Sequence, residues 1–200
     1  MTSQRETNAR YDRVAAVYDL CIIPTEALVR RERRRLLSQA RGRTLELGIG
    51  TGASLAFYPP DRRVYGVDPS PEMLRRAIGR ARSLHRPLGT AVMVAEALGY
   101  ADATFDTVVA TLVFCSVEDP MGALAEARRV LRPGGTLLLL EHVRPEGRLG
   151  RLFDRLDPWW VKRSCHLNRR TGELMTEAGF HIQSERRWAK SIFRAISATR

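Results

Sequence analysis

Cysteine is scarce: three in 200 residues, and none in a Cys-x-x-Cys spacing. Cys21, Cys115 and Cys165 lie far apart along the chain. This argues for a reducing compartment and against both a disulfide framework and a zinc site, so no metal is expected. Lysine is nearly absent. Of 33 basic residues only Lys162 and Lys190 are lysines, and arginine supplies the rest. Aromatics make up 7% of the chain and are sparse within the basic runs. No helix-turn-helix, zinc-finger or RNA-binding-sheet signature is present, so nucleic acid is not an expected partner. Long apolar runs are missing too. The longest, around Val108–Phe114 and Thr136–Leu140, fit buried strands, whereas a membrane span needs roughly 20 residues. The N-terminal "MTSQRETNAR" lacks the apolar core of a secretory signal. The chain therefore reads as cytoplasmic.

What is present is enough apolar sequence, 44%, for one domain with a real core. The net charge of +11 has two readings. Arginine used this exclusively reflects a GC-rich genome, or it attracts the chain to an anionic surface such as the inner membrane face. The densest stretch is "LVRRERRRLLSQARGR", 28–43. Leu28, Val29, Leu36, Leu37 and Ala40 would share one helical face there, opposite the arginines, as in a core-packed helix or an interfacial one.

Periodicity divides the chain into alternating elements. Residues 4–20 carry a helical pattern, Pro24 breaks it, and a second helix runs to about Ala40. Strands are expected near 43–47, 63–67, 91–95, 106–111 and 135–141. Helical segments are expected at 53–57, 70–84, 119–131 and 168–178. Strands separated by helices imply a parallel sheet covered on both faces, while the alternation in "FHIQSERRWAKSIFRAISATR" implies a terminal antiparallel hairpin. The expected fold is α/β: a Rossmann-like, seven-stranded, mostly parallel sheet with a C-terminal antiparallel hairpin. One domain covers 1–200, with lid helices in 1–41, a cofactor-binding core in 42–142 and an acceptor-side segment with the hairpin in 143–200.

The chemistry begins at "RTLELGIGTGAS", residues 43–54, where Gly48, Gly50 and Gly52 follow a short strand. Gly48-x-Gly50-x-Gly52 suits a nucleoside, and Gly48-x-Gly50-x-x-Ala53 also fits a dinucleotide. Asp68, ending "VYGVD", is placed to accept both hydroxyls of an adenosine ribose. Glu46 discriminates. A carboxylate inside this loop would repel a pyrophosphate, yet it can pair with the ammonium of a methionine tail; alternatively it pairs with an arginine.

"LELGIGTG", "VYGVDPSPEML", "AEALGYADATFDTVVATLVFCSV" and "ARRVLRPGGTLLLLEHV" resemble, in order and spacing, the class I S-adenosylmethionine-dependent methyltransferases. The likeness is to their ubiquinone/menaquinone and phospholipid branch and covers about 10–185. The segment "DPWWVKRSCHLNRRTGELMTEAGF", with "FYPP" and "TLVFCSV", is similar to membrane-associated alkyl-thiol methyltransferases and their small bacterial relatives. The resemblance implies S-adenosylmethionine as cofactor and S-adenosylhomocysteine as product. It implies that Glu46, Gly48, Gly50, Thr51 and Gly52 hold the methionine part, and that Asp68 holds the ribose. Pro69 and Met73 would flank the adenine, Ala95, Glu96 and Ala97 would lie at its edge, and Thr111 and Leu112 near the sulfonium. Val94 stands where many relatives carry an aspartate for the adenine amino group, so Glu96 or a backbone carbonyl must accept that hydrogen bond. "YDRVAAVYD" matches a helical lid through Tyr11, Ala15, Tyr18 and Asp19, with Tyr18 over the cofactor and Tyr11 toward the acceptor.

Methyl transfer from a sulfonium needs alignment and dehydration more than a protein nucleophile. His142 is the candidate base or acceptor-orienting group, against a purely structural histidine at a strand end. Glu141 would face the other way. His166 and Trp159 are candidates for the acceptor pocket, and Trp159 with Trp160 could instead dip into a membrane interface. Cys115 and Cys165 are read as buried small hydrophobes. The acceptor is a small, lipophilic molecule or lipid: a thiol first, a phospholipid amine second, a quinone precursor or phenol third. A nicotinamide-dependent oxidoreductase, an RNA methyltransferase and a non-catalytic cofactor-binding relative are the rivals.

Overall fold

The computed structural model describes residues 23–161 and 165–200. The lid pattern of 4–20, with Tyr11 and Tyr18, lies outside the described residues, as does Cys21. The first described element is α1 (Ile23–Leu37). Then follow β1 (Thr44–Leu47), a 3-10 turn (Ala53–Phe57), β2 (Val64–Asp68), α2 (Pro71–Ser83), β3 (Leu88–Val92) and β4 (Phe105–Thr111). The second half carries α3 (Pro120–Val130), β5 (Leu131–His142), α4 (Gly147–Val161), α5 (Thr171–Glu177), β6 (His181–Trp188) and β7 (Phe193–Thr199).

The sheet has seven strands in the order β3-β2-β1-β4-β5-β7-β6. β1 to β5 run parallel, and β7 enters antiparallel between β5 and β6. This is the expected mostly parallel sheet with a reversed hairpin at its end. The run "LLLL" shows why the interior strands form. Leu137 and Leu139 join the core beneath α3 and α5, while Leu138 and Leu140 join the core beneath α1 and α2. A strand buried on both faces needs no alternation of polarity.

α1 packs as a core helix. Val29, Arg33, Leu36 and Leu37 are its buried residues, on the i, i+4, i+7 and i+8 positions. Leu28, expected on that stripe, is instead 55% exposed, because it falls one position off the buried row. α2 begins with an N-cap, the Ser70 side chain accepting from the Met73 backbone N–H, and Pro71 in its first turn.

Two expectations fail. The third strand lies at Leu88–Val92 and not at 91–95, because Leu88 to Val92 pair residue by residue with Val64 to Asp68. Ala95, Glu96 and Ala97 thus lie beyond the strand. The second is α4, a fifteen-residue helix where no helix was expected. Gly147, Gly150 and Pro158 obscured its period, and Pro158 sits inside it.

Candidate active site

The order of the sheet reverses direction between β1 and β4, and in open parallel sheets ligands bind outside the carboxyl ends of the strands at such a switch point. The residues gathered there are those of the glycine loop and the tip of β4. Gly48, Ile49, Gly50, Thr51, Ala53, Ser54, Thr111 and Leu112 line one cavity, together with Thr25, Glu26 and Arg33 of α1. Ser54 Oγ and Thr111 Oγ1 meet at 3.2 Å across the switch point.

The glycines answer to different needs. Gly52 has φ +78°, and a Cβ there would lie 2.8 Å from Leu55 Cδ1 and 3.1 Å from Ala77 Cα, so it is required by packing against α2. Gly50 also has positive φ, but the nearest atom to its Cβ position is a full 4.0 Å away. The open side of Gly50 faces the cavity, which is what close approach of a ligand to the backbone needs.

Asp68 clamps this loop. Its Oδ2 accepts from the Gly50 N–H at 2.9 Å, and its Oδ1 from the Ser70 N–H at 2.9 Å.

Glu46 is 1% exposed and accepts from the Tyr58 hydroxyl at 3.0 Å. Burial pushes its carboxyl up to about 7, against hydrogen bonds from Ser54 and Tyr58 and the positive charge of Arg33. Its partners are thus two hydroxyls, with Arg33 acting through its charge. Arg33 itself is buried and paired with Glu26, and its Nε has no hydrogen-bond partner. A buried arginine on an otherwise apolar helical stripe was the sequence signal, and the arginine-rich context hid it. Tyr58, in "FYPP", was likewise not singled out.

The adenine-side residues are only partly as expected. Pro69 is half-buried, Met73 buried, Ala95 buried and Ala97 exposed. Glu96 does not point its bonded oxygen at a ligand. Its Oε1 accepts from the Glu118 and Asp119 backbone N–H groups at 3.1 and 3.4 Å, at the start of α3, where orphan helix donors attract a carboxylate.

On the acceptor side, the tips of β4 and β5 are tied together. Glu141 is buried and its Oε1 accepts from the Val113 and Phe114 N–H groups at 2.8 and 3.0 Å. His142 Nε2 lies 3.3 Å from Cys165 Sγ. His166 is held away from a free role: its Nδ1 is 3.1 Å from Asp157 Oδ2 and its N–H donates to the Cys115 carbonyl at 2.7 Å. Trp159 points away from the core. It is 75% exposed on α4, because the inward positions of that helix are Gly150 and Asp157. Cys115 and Cys165, unrelated by sequence spacing, are brought side by side with His142.

The sequence profile of a methyltransferase domain family matches residues 45–139. The human thiol S-methyltransferase TMT1B is 39% identical over 171 residues, which cover 78% of this chain and 70% of that protein. This chain belongs to the class I S-adenosylmethionine-dependent methyltransferases. The rat thiol S-methyltransferase TMT1B is 41% identical over 143 residues, covering 68% of this chain and 59% of the rat protein, so the chain spans well short of its relatives' full length. A phosphatidylethanolamine N-methyltransferase from Cereibacter sphaeroides is 36% identical over 129 residues, 64% of each chain. Among solved structures, a methyltransferase from Thermotoga maritima described as a possible histamine N-methyltransferase superposes with a TM-score of 0.68 at 25% identity, covering 96% of this chain and 99% of that one. The methyl donor of this family is S-adenosylmethionine, and its product is S-adenosylhomocysteine. The open flank of Gly50 and the paired acids Glu46 and Asp68 fit such a nucleoside with a cationic tail. The nicotinamide reading is thereby set aside.

Proposed function

We propose that this methyltransferase methylates a small lipophilic thiol. The cofactor supplies an electrophilic methyl group, and the chain's residues hold and align the two partners. Glu46 takes the ammonium of the methionine tail, and Arg33, released from Glu26, takes its carboxylate. The backbone of Gly48, Gly50 and Gly52 admits the tail, with Thr51 beside it. Asp68, at the end of β2 beside the glycine loop, accepts the ribose hydroxyls. Thr111 and Leu112 flank the sulfonium. Pro69, Met73, Ala95 and Ala97 surround the adenine, and a backbone carbonyl takes its amino hydrogen now that Glu96 is engaged at α3.

The observation that carries the choice of acceptor is the makeup of the acceptor end. Among the described residues, this end gathers Cys115, His142 and Cys165 within 4.8 Å of one another, while Glu141 Oε1 is taken by the Val113 and Phe114 N–H groups and Asp157 by His166 and the Leu167 N–H. An ammonium acceptor needs a base to free its lone pair. A thiol with a pKa near 8.5 is already a few per cent thiolate at neutral pH. The kinship to thiol methyltransferases supports the same choice. Release of S-adenosylhomocysteine, measured across alkyl and aryl thiols, phosphatidylethanolamine vesicles and demethylated quinones, is expected to be fastest with thiols. Turnover confined to the amine lipid would overturn the assignment and favour the second reading.

A membrane-facing role for α4 is a separate part of this proposal. Leu152, Leu156, Trp159 and Trp160 are 47%, 46%, 75% and 46% exposed on one helix, spaced i, i+4, i+7 and i+8. Arg148, Arg151 and Arg155 are exposed alongside. No described helix is long and apolar enough to cross a membrane, but this one suits the interface of an anionic bilayer, where lipophilic acceptors collect. The arginine-rich α1, the other candidate, spends its apolar stripe on the core. The double variant Leu156→Ala/Trp159→Ala is expected to weaken sedimentation with anionic vesicles by roughly tenfold or more, and added salt to weaken the wild type. Vesicle binding untouched by both would remove α4 from the membrane.

A further inference from the structure

We propose that Cys115, His142 and Cys165 form a three-ligand zinc site whose fourth position takes the acceptor thiolate. The proposal deepens the thiol reading and rests on it only for that fourth ligand. Sγ of both cysteines and a ring nitrogen of His142 all lie within 4.8 Å of one another, with Cys165 Sγ at 3.3 Å from His142 Nε2. Around a tetrahedral zinc with bonds of about 2.3 Å to sulfur and 2.0–2.1 Å to nitrogen, such donors stand roughly 3.5–3.8 Å apart. The cluster therefore needs only small side-chain movements to close on an ion. Two thiolates and one imidazole are the donor types that zinc selects, and three protein ligands with one open position characterise catalytic zinc sites.

The surroundings hold these donors from several elements at once. Glu141 Oε1 fixes the loop after β4 through the Val113 and Phe114 N–H groups, directly before Cys115. The His166 N–H bonds the Cys115 carbonyl at 2.7 Å, joining the two cysteine-bearing segments. Asp157 of α4 fastens the second segment, accepting from the Leu167 N–H at 2.6 Å and meeting His166 Nδ1 at 3.1 Å. Glu141 Oε2 is buried with no hydrogen-bond partner, an unspent acceptor next to His142. The cluster also adjoins the methyl-transfer end of the cleft. Cys115 Sγ lies 3.7 Å from the Leu112 carbonyl oxygen, and Leu112 lines the same cavity as the glycine loop.

The chemistry balances without an oxidant or reductant. The acceptor S–H bond breaks as its sulfur joins the metal, and the proton leaves to solvent. A C–S bond then forms to the methyl carbon while the sulfonium C–S bond breaks, its electron pair staying on the departing sulfur. The product is a neutral thioether, a poor metal ligand, which leaves the fourth position open for the next thiol.

The test is metal binding by the full chain, read independently of activity. Purified under reducing conditions and dialysed against zinc, the wild type is expected to retain one zinc per chain. Cys165→Ser, at a half-buried position, is expected to lower the affinity by at least about tenfold. Cobalt titration should give a thiolate-to-cobalt charge-transfer band, and adding an alkyl thiol without the methyl donor should strengthen it. No retained zinc and no such band in the folded wild type would overturn the site, as would a Cys115–Cys165 disulfide that forms in preference to metal binding. Zinc retained with no response to thiols would overturn the fourth-ligand claim. Zinc retained by a protein that methylates only amines would sink the thiol reading and leave the three-ligand site standing.

Discussion

Asp68→Ala is expected to raise the dissociation constant for S-adenosylhomocysteine by about 10²- to 10³-fold, an effect of roughly 3–4 kcal/mol. Two losses combine. In the proposed complex the ribose hydroxyls lose a charged acceptor, and the Gly50 and Ser70 N–H groups, each bonded to the carboxylate at 2.9 Å, lose the group that shapes the loop. Asp68→Asn should be nearly as damaging, since an amide offers only one acceptor oxygen and would turn its NH2 against one of those two N–H groups. Titration calorimetry on both variants checks this, with circular dichroism to establish folding. Binding within a few-fold of wild type in both would remove Asp68 from the cofactor site.

Glu46→Gln should produce the second large effect, on the pH dependence of stability. Burial raises the Glu46 carboxyl from an ordinary value of 4.5 to about 7, with Tyr58, Ser54, Arg33 and Asp68 facing it. A raised carboxyl means that the folded chain keeps a proton which the unfolded chain has released. The associated stability is complete below pH 4.5 and lost as pH rises through 7. Over that window the ligand-free protein should lose about 3 kcal/mol from this group, a fall in Tm of roughly 6–12 °C. Glu141, also raised to about 7 by burial, adds a parallel component, so Glu46→Gln should flatten the profile without levelling it. The ligand has the opposite sign. In the proposed complex ionised Glu46 pairs with the ammonium of the methionine tail, so stabilisation by S-adenosylhomocysteine should grow as pH rises through 7 in the wild type and not in Glu46→Gln. Thermal melts from pH 5 to 8, with and without ligand, read both trends; identical profiles for wild type and variant would falsify the assignment of Glu46.

Much of this was legible in one dimension because it is local. Strand and helix periods, the Pro and Gly punctuation, and the reversal at the C-terminus are short-range patterns, and they yield the observed sheet apart from the exact place of β3. The glycine loop and the two acids at strand ends are equally local, since a parallel sheet puts every strand's carboxyl end on one edge. The misreadings are local as well. α4 was missed because Gly147, Gly150 and Pro158 imitate loop composition, and β3 was set three residues late because its bounds follow from pairing with β2.

The sequence by itself determined the family, the layered sheet and the cofactor, because these follow from spacings within a few residues. Only the tertiary structure decided which side chains meet across the chain. It drew Arg33 into the core beside Glu46, turned Trp159 outward, and set Cys165 against His142 and Cys115. Those contacts depend on how β4, β5 and the segment after α4 converge, and on burial, which shifts a carboxyl only once the surrounding water has been excluded.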